Sequence, residues 1–214
     1  PPDSFIPLAE ETGLIIPLGL QVLDAAIAQA VAWAHEGRDL TVSVNLSVVQ
    51  LSDPTISSEI LGRLRSAGVP SSAMQVEVTE TAVMEHFDVA RATLEELKAG
   101  GVSIVIDDFG TGYSSIARLG ELPVEGIKID RRFTALLTED SSAERIVAAI
   151  TELAHALDMR VVAEGIETAT ELYTVKELGC DFAQGYLLAR PAPAADLSAI
   201  LDARPYGTDG DGED

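Results

Sequence analysis

The sequence is poor in the residues that serve disulfides, soft metals and polyanions. Cys180 is the single cysteine among 214 residues, so an internal disulfide and a thiolate metal cluster are both excluded. Histidine occurs only three times. Lysine and arginine number 14 against 35 acidic residues, a net charge of -21. This excess opposes binding to bulk DNA or RNA, which needs basic side chains to neutralise phosphates.

Long apolar runs are also scarce. No run approaches the roughly 20 consecutive apolar residues of a membrane-spanning helix, and no secretory leader is evident. The hydrophobic fraction of 47% is still enough for one sizeable core. We therefore expect one cytoplasmic domain without membrane contact over residues 1–203, followed by an acidic, disordered tail over 204–214.

Two hydrophobic periodicities alternate along the chain. Apolar residues at three-and-four spacing predict helices over 18–36, 55–67, 87–99, 142–157 and 169–178. Short β-branched runs predict six strands, near Val42, Val76, Val105, Ile127, Val161 and Ala183. Such alternation indicates a parallel sheet, either open and doubly wound or a (β/α)₈ barrel. No glycine-rich nucleotide fingerprint opens the first helix, which favours the barrel, although six strands do not close an eight-stranded one.

Polar and charged side chains follow these strands. Asp107 and Asp108 end one apolar run, and two adjacent carboxylates repel each other and need a cation. Because successive strand residues point to opposite faces, both can share one site only where the strand ends and the backbone turns. Other strands lead to Asn45, Glu77, Glu80, Lys128, Asp130, Glu164, Glu167 and Gln184. Oxygen ligands suit Mg²⁺, Mn²⁺ or Ca²⁺ rather than zinc, so we predict a divalent-metal site at the carboxyl ends of the strands.

Six motifs in a fixed order carry a resemblance to a known family. They are Val44-Asn45-Leu46-Ser47, Glu77-Val78-Thr79-Glu80, Asp107-Asp108-Phe109-Gly110-Thr111-Gly112-Tyr113-Ser114-Ser115, Lys128-Ile129-Asp130, Ala163-Glu164-Gly165-Ile166-Glu167 and Gln184-Gly185-Tyr186. Together they closely resemble the EAL family of cyclic-di-GMP phosphodiesterases, from Phe5 to Pro191. Val49 stands where that family often has arginine. The resemblance implies an α/β fold, a TIM-like (β/α)₈ barrel of the EAL type. It also implies that this chain lacks the first two barrel strands, the Glu-Ala-Leu signature with its metal-binding glutamate, and a nearby phosphate-binding arginine.

The resemblance also implies two metal ions, Mg²⁺ or Mn²⁺. Asn45, Glu77 and Asp107 would hold one ion, and Asp107 would bridge to a second ion held by Asp108 and Glu164. Two such ions clamp a phosphodiester and orient the attacking water.

Further residues have roles implied by the same resemblance. Lys128 would hold the attacking water or a phosphate oxygen, and Glu164 would be a possible general base. Glu80 would anchor the loop 109–115, with Gln184 and Glu167 completing the site.

Each of these residues also has a simpler interpretation. Lys128 could be an exposed lysine paired with Asp130, and Gln184 a strand glutamine satisfied by backbone. Glu80 and Glu167 could be helix N-terminal charges, which the helix dipole favours. Tyr113 and Tyr186 would pack near guanine or serve only the loop.

The resulting hypothesis is metal-dependent hydrolysis of cyclic-di-GMP to linear pGpG, impaired in a fragment that lacks the upstream glutamate. The parent would be a longer signalling protein with an upstream sensor or diguanylate cyclase domain, and exposed strand edges predict a homodimer or oligomer. Two alternatives stay open: a non-catalytic cyclic-di-GMP-binding or dimerisation module, and an enolase-like barrel with a lysine base.

Overall fold

The computed structural model describes residues 2–112, 116–137 and 141–203. Tyr113 and the predicted disordered tail over 204–214 lie outside these described residues.

A single parallel sheet organises the described residues. Its six strands follow one another in chain order, and every neighbouring pair is parallel. The strands are β1 (Val42–Asn45), β2 (Met74–Thr79), β3 (Ser103–Phe109), β4 (Gly126–Ile129), β5 (Arg160–Ala163) and β6 (Phe182–Ala183). This confirms the predicted barrel type with six strands in place of eight.

Helices connect the strands, as expected for parallel neighbours. They are α1 (Pro2–Glu11), α2 (Ile15–His35), α3 (Val48–Leu51), α4 (Ile56–Ala67), α5 (Glu80–Glu85), α6 (Phe87–Ala99), α7 (Ile116–Leu119), α8 (Arg131–Thr134), α9 (Ser141–Ala156), α10 (Ala169–Glu177) and α11 (Ala194–Ala203). The predicted long helices correspond to α2, α4, α6, α9 and α10. The sequence periodicity missed α1, α11 and the helices of four to six residues.

The core lies between the strands and the helices. Ile104, Ile127 and Ile129 on the central strands have no exposed surface, and neither do Ile60 on α4 and Leu94 on α6. Strands covered on both faces have continuous rather than alternating apolar runs, which explains the form of the predicted strands. The polar residues that follow these runs are thereby placed at one end of the sheet.

Helix α2 bears on the expectation that the chain has no membrane contact. It spans 21 residues, contains a stretch with a mean hydropathy of 1.7, and is the one helix of the described part that is long and apolar enough to cross a membrane. Its residues Leu23, Ile27 and Ala30 are only 3–5% exposed and belong to the core. Only 22% of the apolar stretch is buried, and by length and composition alone it is weak evidence for a span, because the core helix of a soluble protein can meet the same criteria.

Candidate active site

Four neighbouring strands bring their polar ends together around one ammonium group. The Nζ atom of Lys128, on β4, lies 2.6 Å from Glu164 Oε1, 3.1 Å from Glu77 Oε2 and 3.3 Å from Asp107 Oδ1. Glu77 belongs to β2 and Asp107 to β3, while Glu164 directly follows β5. Because adjacent parallel strands end at the same edge of a sheet, residues far apart in sequence meet there.

This cluster is buried. Lys128 is 5% exposed and Glu77 is 6% exposed. Burial alone would lower the pKa of Lys128, but hydrogen bonding to Glu164 and the negative charges of Glu77 and Asp107 outweigh it and raise that pKa above its ordinary value. Lys128 therefore keeps its positive charge, and the interpretation of an exposed lysine paired with Asp130 does not describe its position.

Asp107 and Asp108 share the site because the backbone changes course between them. The register of β3 against β4 shifts between Ile106 and Phe109, and Asp108 has a φ of 53°, in the left-handed region. Non-glycine residues adopt this conformation at a cost, often at functional sites. One oxygen atom each from Asp107, Asp108 and Glu164 lies within 4.8 Å of the others, an arrangement that could hold a metal ion.

The acidic surroundings shift the pKa of two carboxyl groups. Burial, a hydrogen bond with Asp130 and repulsion by Asp107 raise the pKa of Asp108 to about 6. Burial also raises the pKa of Glu164, although the ion pair with Lys128 opposes the shift. A cation placed among these oxygens would favour their ionised forms.

Glu80 links the end of β2 to the loop after β3. It is the first residue of α5, is only 2% exposed, and accepts a hydrogen bond through Oε2 from the backbone N–H of Gly110 at 3.1 Å. A Cβ atom at Gly112 would lie 2.8 Å from Glu80 Oε1, so the loop closely approaches this carboxylate and a larger residue there would displace it. Glu80 thereby constrains the backbone that leaves Asp108.

Three predicted site residues lie around the cluster rather than among the ion pairs of Lys128. Asn45 ends β1 beside Glu77 in register, is exposed, and lines a cavity of about 600 Å³ under α1. Gln184 and Glu167 are exposed and line a second cavity of about 570 Å³ together with Glu164. The first cavity lies at the ends of β1 and β2, and the second lies at the ends of β5 and β6, where Glu164 belongs to its wall.

Sequence reasoning missed several residues of this second cavity. Arg131 and Arg132 line it, and Arg132 donates from its backbone N and its Nε to Asp130 Oδ1, at 2.7 and 2.9 Å. The guanidinium of Arg190 lies 4.7 Å from the ring centre of Tyr186. A usable signal was the position of the two arginines, directly after Lys128-Ile129-Asp130, in a chain with only 14 basic residues.

Comparisons with known proteins agree with this arrangement. The EAL domain family matches residues 1–191. The bifunctional diguanylate cyclase/cyclic di-GMP phosphodiesterase MucR of Pseudomonas aeruginosa is 43% identical over 201 residues, which are 94% of this chain and 29% of MucR. The cyclic di-GMP phosphodiesterase PdeR of Escherichia coli is 37% identical over 91% of this chain and 29% of its own length.

A solved structure shows the same likeness. The PaMucR phosphodiesterase in complex with c-di-GMP superposes with a TM-score of 0.88 at 43% identity, covering 92% of this chain and 80% of that one. The chain therefore spans under a third of the length of these two curated relatives but most of the solved domain. With the family match over residues 1–191, these likenesses show that the chain belongs to the EAL domain family.

Proposed function

We propose that this chain carries the catalytic domain of a phosphodiesterase that hydrolyses cyclic-di-GMP to linear pGpG. The observation that supports it most is the convergence of Glu77, Asp107 and Glu164 on Lys128 beside an open cavity of about 570 Å³. The substrate class comes from the relatives, since MucR and PdeR are both named as cyclic di-GMP phosphodiesterases.

The proposed cofactors are two Mg²⁺ or Mn²⁺ ions. Asp107, Asp108 and Glu164 fit one ion, because their oxygen atoms lie within 4.8 Å of one another and hard cations prefer carboxylates. Asn45 and Glu77 are paired in register at the neighbouring strand ends and would hold the other ion with Asp107. When bound, such ions neutralise phosphate oxygens and lower the pKa of a water molecule. They would allow a chain of net charge -21 to bind an anion.

Lys128 and Glu164 have different proposed roles in hydrolysis. Lys128 keeps its charge in a buried position, so it can donate from Nζ to a phosphate oxygen or to the attacking water. Glu164 Oε1 lies 2.6 Å from Lys128 Nζ, so its carboxylate is placed to accept a proton from a water held by that ammonium.

Supporting residues would fix the geometry. Glu80 holds the backbone at Gly110 and so positions Asp107 and Asp108. Gln184 and Glu167, at the cavity wall, would contact the nucleotide rather than the reacting phosphate.

The direct test is hydrolysis of cyclic-di-GMP by the purified chain with Mn²⁺. We expect linear pGpG to form only with the metal present, and Asp107→Asn to lower the rate by roughly 100-fold or more. The matched control is Asp39→Asn, at an exposed residue outside the cluster, which should keep the rate. Binding of cyclic-di-GMP without any pGpG would contradict catalysis by this chain and support a binding module.

A homodimer is a further part of the proposal. In the described residues β1 and β6 each pair on one side only, and Phe182 on β6 is 51% exposed. Unpaired strand edges with apolar side chains favour association. We expect a dimer or larger oligomer in light scattering and a shift toward monomer for Phe182→Lys; a monomeric wild type at high concentration would contradict this part.

We also propose a cytoplasmic location, because the proposed substrate is a nucleotide second messenger. Cell fractionation checks it, and recovery of the chain in a membrane or extracellular fraction would contradict it.

A further inference from the structure

We infer that Lys128 is a built-in counter-ion of the metal site. Its ammonium holds the carboxylates of the site in place in the metal-free protein, and it competes with a divalent ion for the same oxygen atoms. The second half of this inference rests on the proposed function, because it concerns the proposed metal ligands.

The geometry of Lys128 differs from that of a surface ion pair. Its side chain is 7% exposed and contacts three carboxylates whose side chains are 8%, 15% and 19% exposed, those of Glu77, Asp107 and Glu164. The partners come from three other strand ends, and Glu77 is 51 residues away in sequence. Carboxylates gathered in such a space repel each other and lose favourable hydration, and both effects destabilise the fold unless a cation lies among them.

Within residues 2–112, 116–137 and 141–203, no other basic side chain takes over this task. Among the ion pairs of the described residues, Lys128 is the one lysine or arginine that contacts Glu77, Asp107 or Glu164. The nearby Arg132 is 67% exposed in its side chain and pairs with Asp130 instead. Removing the Lys128 ammonium therefore leaves the three carboxylates without a protein cation.

The same contacts imply competition with a metal ion. Asp107 and Glu164 are partners of Lys128 and also belong to the oxygen group that could hold a metal. A divalent ion that binds them must weaken their ion pairs with Lys128. Displacing the ammonium costs free energy, which lowers the affinity of the site for the ion. A lysine that made no contact with these carboxylates would leave their oxygen atoms free for the ion.

The test compares Lys128→Met with Lys98→Met, a control at an exposed lysine on α6. Melting temperature is measured in EDTA and in saturating Mn²⁺, and Mn²⁺ affinity by electron paramagnetic resonance. In EDTA we expect Lys128→Met to lower the melting temperature by roughly 10 °C, and Lys98→Met to leave it within about 2 °C. We also expect Mn²⁺ to bind Lys128→Met about tenfold more tightly than wild type and to reduce the deficit in melting temperature.

A second variant keeps the test decisive if Lys128→Met folds poorly. Lys128→Met/Glu164→Gln neutralises one of the uncompensated carboxylates and should recover part of the lost stability in EDTA. An unchanged melting temperature of Lys128→Met in EDTA would overturn the counter-ion, and equal or weaker Mn²⁺ binding would overturn the competition. If Mn²⁺ binds neither wild type nor variant, the proposed metal site and the competition fail, while a stability loss in EDTA still supports the counter-ion.

Discussion

Two segments of this chain have the same spacing of glutamates but place them differently. Glu77 and Glu80 follow one another at the end of β2, and Glu164 and Glu167 at the end of β5. The first glutamate of each pair contacts Lys128. The second glutamates diverge, because Glu80 is 2% exposed and bonded to Gly110, whereas Glu167 is exposed at a cavity wall.

The turn between strand and helix explains the difference. Helix α5 begins at Glu80 itself, so the chain turns inward without a loop, and Thr79 caps it by accepting from Ala82 N. After β5, Gly165 adopts a φ of +72° and α10 begins only at Ala169. The Glu-x-x-Glu spacing therefore predicts which residues lie near a strand end, and the turn that follows the strand determines whether the second glutamate is buried.

The largest effect is expected from the first glutamates, where the two segments are alike. Glu77→Gln and Glu164→Gln should each lower the Mn²⁺-dependent hydrolysis rate by roughly 100-fold or more, because each removes a charge from the proposed metal ligands. Initial rates of pGpG formation measure this. A loss in only one of the two variants would show that the segments are not equivalent in the site.

Glu80→Ala should have the next largest effect. It leaves the Gly110 N–H without its acceptor and empties a buried position, which we expect to cost roughly 1–3 kcal/mol of unfolding free energy and 10–100-fold in rate. Urea denaturation and the hydrolysis assay measure both quantities. Glu167→Ala is the control at the same place in the other segment. An equal loss of stability and rate in that variant would contradict the difference between a buried Glu80 and an exposed Glu167.

The pH dependence of Mn²⁺ binding tests whether Asp108 must be ionised to hold the metal. The pKa of Asp108 is about 6 in the folded protein, above its ordinary value of 3.8. The protonated carboxyl group therefore stabilises the metal-free fold at low pH, and this contribution is lost as the pH rises from about 4 to about 6. A metal needs the ionised group, so affinity should fall about tenfold per pH unit below 6 and level off above it. Titration from pH 5 to 8 measures the slope, which Asp108→Asn should remove; a wild-type affinity independent of pH would contradict it.

Gly165→Ala tests the turn that separates the two segments. The positive φ disfavours alanine, and a Cβ there would lie 2.5 Å from Arg131 Cβ, so we expect a loss of about 1–3 kcal/mol in unfolding free energy. Gly62→Ala on α4 is the matched control, since a Cβ there meets only the end of Arg65 at 3.9 Å. That control should gain up to about 1 kcal/mol by urea denaturation. Equal stability of the two variants would mean that the turn tolerates a side chain.

The smallest effect is expected for Glu167→Gln. Its side chain is exposed, and the carboxylate that caps α10 is that of Glu171, which accepts from the backbone N–H groups of Glu167 and Thr168. We expect a stability change within about 0.5 kcal/mol. If Glu167 contacts the nucleotide as proposed, the change should be in KM rather than kcat; a loss of kcat as large as that of Glu80→Ala would place it in the reacting centre.

The strand ends could be predicted from the sequence because parallel strands buried on both faces have continuous apolar runs. The polar residue after each run is then fixed at one edge of the sheet, which brought Glu77, Asp107, Lys128 and Glu164 into the predicted site. The condition that Asp107 and Asp108 need a backbone turn is met by the register shift in β3.

Other features depended on turns and long-range contacts that spacing does not encode. Nothing local shows that Lys128 is buried among three carboxylates rather than paired with Asp130. Helix α5 was missed because six residues give too little periodicity. The cap of α10 is the exception, since Thr168 and Glu171 form the Thr-x-x-Glu pattern of a capping box, which can be recognised in the sequence.

Anomalous scattering from a crystal of the chain grown with Mn²⁺ would locate the proposed metal ions. We expect a manganese peak in contact with Asp107, Asp108 and Glu164, with a second peak toward Asn45 and Glu77. Manganese peaks elsewhere, with Lys128 still between Glu77 and Glu164 and no peak at Asp107, would contradict it.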